Sequence, residues 1–538
     1  MENLLQIVIY FPLFAVIAVL LARKEEWIKW IALTATSITF FLSLPLIFNF
    51  DISQSHIPQY LTEGPSILSG FDVKYLIGLD GLSLLLFMLT TLFGPIVVLS
   101  SWTSIKKHLK GYYSMLLLLQ TASLGVFASL DLVVFYVFFE LSLIPMYFLI
   151  GIWGSTDRIQ ATVKFFIYTM VGSLIMLVAL LYLGFYAGGI HPEFSFVSDW
   201  RYIAGPEVQI GLVEQTWMFL AFALAFCIKV PLFPFHTWLP YAHTEAPTAG
   251  SVVLAAIMLK VGTYGLLRFT MPVFPNAFME FAPWLAVLAV IGIIYGALVA
   301  MVQKDVKRLV AYSSVSHLGF VVLGIFAFNT VAVQGAIIQM INHGLSTGAL
   351  FLIVGMIYDR RHTRLIKDFG GIATVVPVFA VMFMIATLSS IGLPGLNGFI
   401  GEFLILNGTF FSELYDNAAF AVIGALGVIL AAVYMLWMYQ RVMFGPIKHE
   451  ENKTLKDLNL REVGLLLPLV LFMVWIGIRS EDFTRYSEVW VEHYIEETKD
   501  KSVAVLQNTR GEDLPDWTAR IYELDSEGLS DTEWVYKD

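Results

Sequence analysis

Long apolar runs alternate with short polar connections along most of this chain. A bilayer core needs roughly 20 apolar residues per helix, and runs of about that length begin near residues 4, 28, 80, 112, 132, 163, 214, 251, 283, 309, 330, 373, 399, 418 and 463. The Pro/Gly-rich stretch 392–398 indicates that 373–411 is one broken helix rather than two. The pattern therefore predicts an all-α polytopic membrane protein with about 14 transmembrane helices.

Two of the predicted helices contain internal breaks. One break lies at Pro231 and Pro234, and the other lies at Pro394 and Gly395. Broken helices in corresponding positions of two halves are typical of transporters built from inverted repeats, with their polar sites near the membrane midplane. We therefore expect an antiporter-like fold with two such repeats.

The first break also predicts free backbone acceptors. Because proline has no N–H, Pro231 and Pro234 cannot donate to the carbonyls of Cys227 and Val230. We expect those two oxygens to be available to water or a cation.

The same pattern divides the chain into five predicted parts. They are N-terminal helices over 1–111, a first repeat over 112–270, a second repeat over 283–445, a last transmembrane helix over 446–479 and an acidic soluble tail over 480–538. The tail carries 16 acidic and 6 basic residues, which equals the whole net charge of −10. A docking arm and a solvated terminus are both compatible with this composition.

The connections differ in basic residues, and this difference predicts the orientation. Lys and Arg collect in alternate connections, which places those connections on the cytoplasmic side by the positive-inside rule. Both termini and the acidic tail are then predicted to lie on the external, periplasmic side. The basic connections include residues 23–29, 106–110, 304–308, 360–367 and 448–456.

Four ionisable residues lie well inside apolar runs: Glu140, Lys229, Lys260 and Glu402. A charge at mid-bilayer costs several kcal/mol, so it persists with a partner, in a hydrated cavity or for function. Burial favours a neutral lysine, whereas a nearby carboxylate favours the protonated form, so a Glu–Lys pair of variable separation acts as a proton switch. We expect these residues to translocate protons; the alternative is a static ion pair that only joins two helices.

Histidines supply further candidates. His343 and His317 lie within apolar runs, and a neutral imidazole can accept a proton on one nitrogen and donate from the other. We expect a relay at His343, and at His317 either a relay or simple packing. His236 and His243 follow the first break and mark either a proton entry or ordinary interfacial polar residues. Neither His343 nor His317 has a second His, Cys, Asp or Glu at metal-ligand spacing, so no metal site is predicted.

The composition restricts the remaining chemistry. Of the residues, 58% are hydrophobic and 14% are charged, with a mean hydropathy of +0.76. The single cysteine cannot supply the four ligands that an iron–sulfur cluster normally needs. The chain has no phosphate-binding loop between strand and helix. We therefore expect no cofactor and no nucleic acid on this chain, and its surroundings to be the lipid bilayer.

Several segments together resemble one family. They are FFEL at 138–141, IKVPLFPFHTWLP at 228–240, YSSVSH at 312–317, NHG at 342–344 and GLPGLNGF at 392–399. These motifs resemble those of the antiporter-like membrane subunits of proton-pumping NADH–quinone oxidoreductase (complex I), over about residues 75–445. The resemblance implies that Glu140 and Lys229 form the family's Glu–Lys pair. It also implies that Lys260 and His343 form the central relay, and that Glu402 is the terminal residue.

The residue at position 402 distinguishes branches of this family. The subunit M, or chain 4, type carries glutamate there, whereas its neighbours and Mrp Na⁺/H⁺ antiporter subunits usually carry lysine. The resemblance further implies partner membrane subunits in a bacterial inner membrane, with NADH, FMN, iron–sulfur clusters and quinone bound by other subunits. An Mrp-type antiporter subunit, or the homologous subunit of a membrane-bound hydrogenase or ferredoxin-type complex, remains the alternative.

Overall fold

The computed structural model describes residues 3–67, 69–415 and 418–508. In chain order, its first ten helices are α1 (Leu4–Leu21), α2 (Glu25–Phe48), α3 (Leu84–Ser100), α4 (Leu109–Ala128), α5 (Leu132–Leu141), α6 (Leu143–Trp153), α7 (Arg158–Ile190), α8 (Trp200–Ala204), α9 (Leu212–Lys229) and α10 (Trp238–Glu245). The next are α11 (Thr248–Val253), α12 (Leu259–Gly265), α13 (Met271–Val273), α14 (Pro275–Met301), α15 (Val306–Phe326), α16 (Thr330–Arg361), α17 (Pro377–Ser390), α18 (Asn397–Phe410), α19 (Ala419–Met443), α20 (Leu460–Ile478) and α21 (Glu481–Asn508).

The helices confirm the predicted fold class of an all-α polytopic membrane protein. Within the described ranges, twelve spans are long and apolar enough to cross a bilayer, with α5 and α6 forming one span and α11 to α13 another. The shorter apolar helices α3 and α17 bring the number to fourteen. Helix α18 continues α17 after the second break, as the broken-helix interpretation of 373–411 requires.

A small amount of β-structure, which the sequence pattern did not predict, lies between α2 and α9. Strand β1 (Gln59–Ser66) pairs antiparallel with β3 (Lys74–Leu79), and β2 (Phe71–Asp72) pairs parallel with β4 (Phe196–Val197). Strands β2 and β4 have only two residues each and lie far apart in sequence, and β1 contains Gly64 and Pro65, so no alternating apolar run marks these strands clearly.

Side-chain caps set where several spans begin. The carboxylate of Asp131 accepts from the backbone N–H groups of Val133 and Val134 at 2.9 and 3.0 Å, which caps α5. Asp305 caps α15 and Asn329 caps α16 in the same way. Such caps satisfy backbone donors that a helix start leaves free. Residues 335–357 of α16 are all buried, so most of this helix lies inside the helix bundle.

The segment predicted as a tail begins with helix α21, which packs against the protein. Trp490, Val491, Tyr494 and Ile495 are buried on one side of α21. The acidic residues on its opposite side are exposed: Glu488, Glu492, Glu496 and Glu497. Residues 509–538 of the predicted tail lie outside the described residues.

Candidate functional site

Lys260 and His343 are in direct contact in the buried interior of the helix bundle. The Nζ atom of Lys260 lies 2.6 Å from Nδ1 of His343 and also donates to the carbonyl of Ala255. Both side chains are at most 2% exposed. A protonated lysine can only donate, so Nδ1 of His343 accepts in that state and the ring proton resides on Nε2.

Local distortions of the helix surround Lys260. Within the span from Thr248 to Val273, the turns Leu254–Met258 and Leu266–Thr270 are π-helical. A π turn holds one extra residue and occurs frequently at functional sites. The Lys260 side chain bonds back to the first of these turns, so the local backbone helps to set the position of its amine.

His317 and Glu402 form a second buried contact. Nδ1 of His317 lies 3.0 Å from Oε1 of Glu402, and both side chains are at most 4% exposed. The Nε2 atom of His317 lies 3.3 Å from the hydroxyl of Ser390 and 3.4 Å from that of Tyr434. The ring centroids of His317 and His343 are 6.1 Å apart, so the two contacts lie side by side.

The two contacts form one row of ionisable side chains. Its order is Lys260, His343, His317 and Glu402, carried by four different helices: α12, α16, α15 and α18. In the described structure, Nε2 of His343 and Oε2 of Glu402 make no hydrogen bond to protein atoms.

Two neutral amides to which the sequence analysis assigned no role lie beside the carboxylate of Glu402. Gln339 donates to Oε1 of Glu402 at 3.3 Å, and Asn342 donates to Gln339 at 3.2 Å and to the carbonyl of Asn397 at 2.8 Å. Gln339 and Asn342 are three residues apart on α16 and therefore neighbours on its surface, next to His343. Uncharged amides in an apolar run are a weaker signal than charges, which explains why the pattern did not reveal them.

The second break makes room for Glu402. Helix α17 ends at Ser390 and α18 begins at Asn397. Between them, Gly392 has a φ of +72°, which disfavours any residue with a Cβ atom. A Cβ added to Gly392 would lie 2.8 Å from Oε2 of Glu402. The glycine thus allows the carboxylate to approach the backbone of the break.

Glu140 and Lys229 lie apart from this row. Lys229 ends α9, is 2% exposed, and its Nζ lies 4.9 Å from the ring centre of Phe139. Among the described residues, neither Nζ of Lys229 nor Oε1 of Glu140 has a hydrogen-bond partner, and the two groups form no ion pair within 4.0 Å. The structure therefore holds the Glu–Lys pair in a separated arrangement.

The expectation of free carbonyls at the first break is wrong for Cys227. The carbonyl of Cys227 is not free, because it accepts a hydrogen bond from the backbone N–H of Leu232 at 2.8 Å. Pro231 cannot serve as the donor, and the next residue along the chain replaces it. The indole of Trp238 likewise donates to the carbonyl of Ile228 at 2.9 Å. The chain around the break thus supplies donors for the carbonyls of Cys227 and Ile228.

His236 and His243 are buried but make no hydrogen bond with the row. The ring of His243 stacks on Phe351 at 4.5 Å, and neither of its nitrogens has a hydrogen-bond partner among the described residues. His236 packs against the rings of Phe233 and Tyr295. Both rings pack against aromatic neighbours in this arrangement, and the proton entry considered for them stays a prediction.

A polar cavity of about 500 Å³ opens beside the start of α11. Its lining includes Thr248, which begins the helix run that carries Lys260, together with Lys307, Arg158, Asp359 and Arg364. Lys307, Asp359 and Arg364 lie in or directly beside the Lys/Arg-rich connections 304–308 and 360–367, so the cavity lies at that end of the helix bundle. In the described part of the chain, no group of three or more His, Cys, Asp or Glu side chains suits a metal ion.

The chain is similar to known proteins along nearly its full length. The family described as NADH:quinone oxidoreductase/Mrp antiporter, transmembrane region, matches residues 129–430. NADH-quinone oxidoreductase subunit M of Rhodobacter capsulatus is 41% identical over 528 residues, covering 95% of this chain and all of that protein.

Two solved structures share the fold. A chain of respiratory complex I from Thermus thermophilus with bound NADH has a TM-score of 0.81 and 31% identity, covering 92% of this chain and 99% of that one. A chain of the Mrp complex from a Dietzia species has a TM-score of 0.78 and 18% identity, covering 94% and 99%. The second likeness concerns the fold alone. The chain thus belongs to the NADH:quinone oxidoreductase/Mrp antiporter family and, within it, to the relatives named NADH-quinone oxidoreductase subunit M.

Proposed function

We propose that this chain is the proton-translocating membrane subunit of NADH–quinone oxidoreductase (complex I), and that protons pass along the row from Lys260 to Glu402. The observation that carries the proposal is the buried row itself, in which Lys260 contacts His343 and His317 contacts Glu402. Four ionisable groups on four helices are more than a fixed fold requires, because each buried charge is costly.

The row suits stepwise proton transfer. Lys260 donates to Nδ1 of His343, whose opposite nitrogen then releases a proton, because an imidazole can accept on one nitrogen and donate from the other. The ring centroids of His343 and His317 are 6.1 Å apart, and Nε2 of His343 has no hydrogen-bond partner among the described residues, so transfer between the two rings needs one water or a ring rotation. His317 then passes the proton to Glu402, whose Oε2 has no protein hydrogen-bond partner in the described structure.

Glu140 and Lys229 supply the switch in this proposal. When the two groups approach, the carboxylate stabilises the protonated lysine, and when they separate, burial favours its neutral form. Redox reactions in partner subunits change this separation and so drive the transfer. Moving one charge against 100 mV costs about 2.3 kcal/mol. Separating the buried carboxylate of Glu140 from the amine of Lys229 changes the free energy of protonating the lysine by a comparable amount.

The cavity beside Thr248 is the proposed entrance. It lies at the end of the helix bundle that adjoins the Lys/Arg-rich connections, which we place on the cytoplasmic side of a bacterial inner membrane. Both termini and helix α21 are then external. Residues 112–270 and 283–445 are the two proposed repeats, with Lys229 and Glu402 beside their respective breaks.

The redox groups belong to other subunits in this proposal. An iron–sulfur cluster normally takes four cysteine ligands, and this chain has one cysteine, Cys227, which is buried. We therefore assign NADH, FMN, the iron–sulfur clusters and quinone to partner subunits, among them the neighbouring antiporter-like membrane subunits.

Isolation of the intact assembly tests the proposal. The chain is tagged, the membrane is solubilised in mild detergent, and the purified assembly is assayed for flavin, iron–sulfur clusters and NADH oxidation by quinone. Co-purification of all three supports the proposal. An assembly that lacks flavin and clusters, and that exchanges Na⁺ for H⁺ in vesicles, identifies an Mrp-type antiporter instead. Clusters with hydrogen or ferredoxin as the electron donor identify the third alternative.

A further inference from the structure

Arg268 occupies the second π turn of the helix run that carries Lys260, and it is fully buried. Its guanidinium forms two hydrogen bonds with Asp80, at 2.6 and 2.7 Å, and a third with the hydroxyl of Tyr264 at 3.1 Å. Bidentate pairs of this kind fix orientation as well as charge. The side chain of Arg268 is thus held in one position.

The backbone of Arg268 is held as well. Four residues later the chain has Pro272, which lacks the N–H that would normally bond the carbonyl of Arg268. Two side chains supply donors instead: the indole of Trp200 at 3.0 Å and the hydroxyl of Tyr494 at 3.0 Å. A carbonyl that proline leaves free is therefore satisfied from outside its own helix.

Helix α21 contributes to both attachments. Tyr494 bonds the carbonyl of Arg268, and Trp490 donates to Oδ2 of Asp80 at 3.0 Å, so α21 contacts both partners of the ion pair. The close approach depends on Gly81, because a Cβ there would lie 2.7 Å from Cβ of Trp490. Helix α21 thus acts as a strap across the end of the helix run.

Helix α21 affects the orientation of Lys260 through the helix run that carries both Lys260 and Arg268. Arg268 lies eight residues beyond Lys260, or roughly 12 Å along the helix. One residue gained or lost in a π turn rotates the helix beyond it by about 100°. Holding the second π turn in place therefore fixes the direction in which Lys260 points relative to the other helices, and hence its contact with His343.

We propose that Arg268 is a positioning residue for proton transfer at Lys260, and that helix α21, through Trp490 and Tyr494, is the strap that holds it. The proposal rests on the proposed function of Lys260. It assigns to an external amphipathic helix a direct part in setting the geometry of the buried row.

The test compares phenylalanine substitutions on α21 in the intact complex. Tyr494→Phe and Trp490→Phe each remove one hydrogen bond and keep an aromatic ring. Tyr486→Phe, on the same helix, is the matched control, because the Tyr486 ring packs against Phe50 while its hydroxyl makes no hydrogen bond within the described residues. Sealed membrane vesicles report the initial rate of proton uptake and the rate of NADH oxidation, and their ratio is the readout.

We expect the single variants to assemble normally and the ratio of protons moved to NADH oxidised to fall at least about 2-fold, because one lost hydrogen bond shifts a two-state equilibrium roughly 5-fold. If α21 only stabilises the fold, the substitutions lower the amount of assembled complex. Proton uptake and NADH oxidation then fall in proportion, and their ratio stays unchanged. Ratios equal to that of Tyr486→Phe overturn the proposal. Lys260→Met is measured in parallel. If Lys260→Met has a normal ratio of protons moved to NADH oxidised, the proposed function is wrong. If its ratio falls while Tyr494→Phe and Trp490→Phe have normal ratios, only the role proposed for α21 is wrong.

Discussion

The imidazole of His317 lies 3.0 Å from the carboxylate of Glu402, although 85 residues separate them in the chain. This contact connects a histidine whose role the sequence left open to the residue that distinguishes branches of the family. It makes Glu402 the end of a row of buried ionisable groups rather than an isolated charge.

The first prediction concerns that contact. If His317 and Glu402 act in series, His317→Ala and Glu402→Gln each lower proton uptake per NADH oxidised, and the double variant is no worse than the more severe single variant. When two residues serve consecutive steps of one path, removing either residue already interrupts the path. Removing both therefore has no additional effect on proton uptake. Proton uptake by sealed vesicles measures this, and effects that multiply independently contradict it.

Gly392 provides a second test of the same site. Gly392→Ala places a Cβ 2.8 Å from Oε2 of Glu402, whereas Gly395, which also has a positive φ, has nothing within 4 Å of a Cβ. Gly395→Ala therefore carries only the strain of the left-handed conformation, about 1–2 kcal/mol, and serves as the control. We expect Gly392→Ala to reduce proton uptake markedly more than Gly395→Ala does. Equal proton uptake in Gly392→Ala and Gly395→Ala would show that the close approach of residue 392 to Glu402 does not matter for proton transfer.

The separated Glu140–Lys229 pair makes a third prediction. Glu140→Gln removes the carboxylate that stabilises protonated Lys229 when the two groups approach each other, so we expect pumping-coupled quinone reduction to fall at least about 10-fold. NADH oxidation by an artificial acceptor, which bypasses the membrane subunits, stays intact. Glu140→Asp retains a titratable carboxyl group and should keep more activity than Glu140→Gln. Wild-type pumping in Glu140→Gln refutes the switch.

The fold followed from the sequence to a large extent because the spans are long and apolar and the breaks are marked by proline. The five residues predicted to translocate protons stand out in the sequence as charges or a histidine within apolar runs. Their pairing was not, since His317 and Glu402 come together only when α15 and α18 pack against α16. Gln339 and Asn342 carry no charge, and helix α21 has an acidic surface that resembles a solvated tail, so neither stands out without the three-dimensional contacts.

Helix α21 makes a fourth prediction, on pH. Burial lowers the pKa of Lys501 to about 7, against the opposing influence of Glu497 and Glu207, and its amine donates to the carbonyls of Ile203 and Ala204 at 2.9 and 3.1 Å. An exposed lysine has a pKa of about 10.4. The undocked helix therefore binds more protons between pH 7 and pH 10, and docking strengthens as pH rises through this range.

The size of this effect follows from linkage. Between pH 6 and pH 8, docking of α21 should become about 10-fold more favourable, or about 1.4 kcal/mol. Hydrogen exchange of α21, corrected for intrinsic rates, measures the change in the intact complex. In Lys501→Met the pH dependence should disappear. Equal protection at both pH values in the unaltered protein contradicts the prediction.

The contact between Lys260 and His343 tests the central claim most directly. The ratio of protons translocated to NADH oxidised is measured in sealed vesicles for His343→Gln, with NADH oxidation by an artificial acceptor confirming that the complex is assembled. Gln offers no titratable ring, so a proton cannot pass from Lys260 through this position. The account predicts a ratio clearly below that of the unaltered complex, and an unchanged ratio would contradict it.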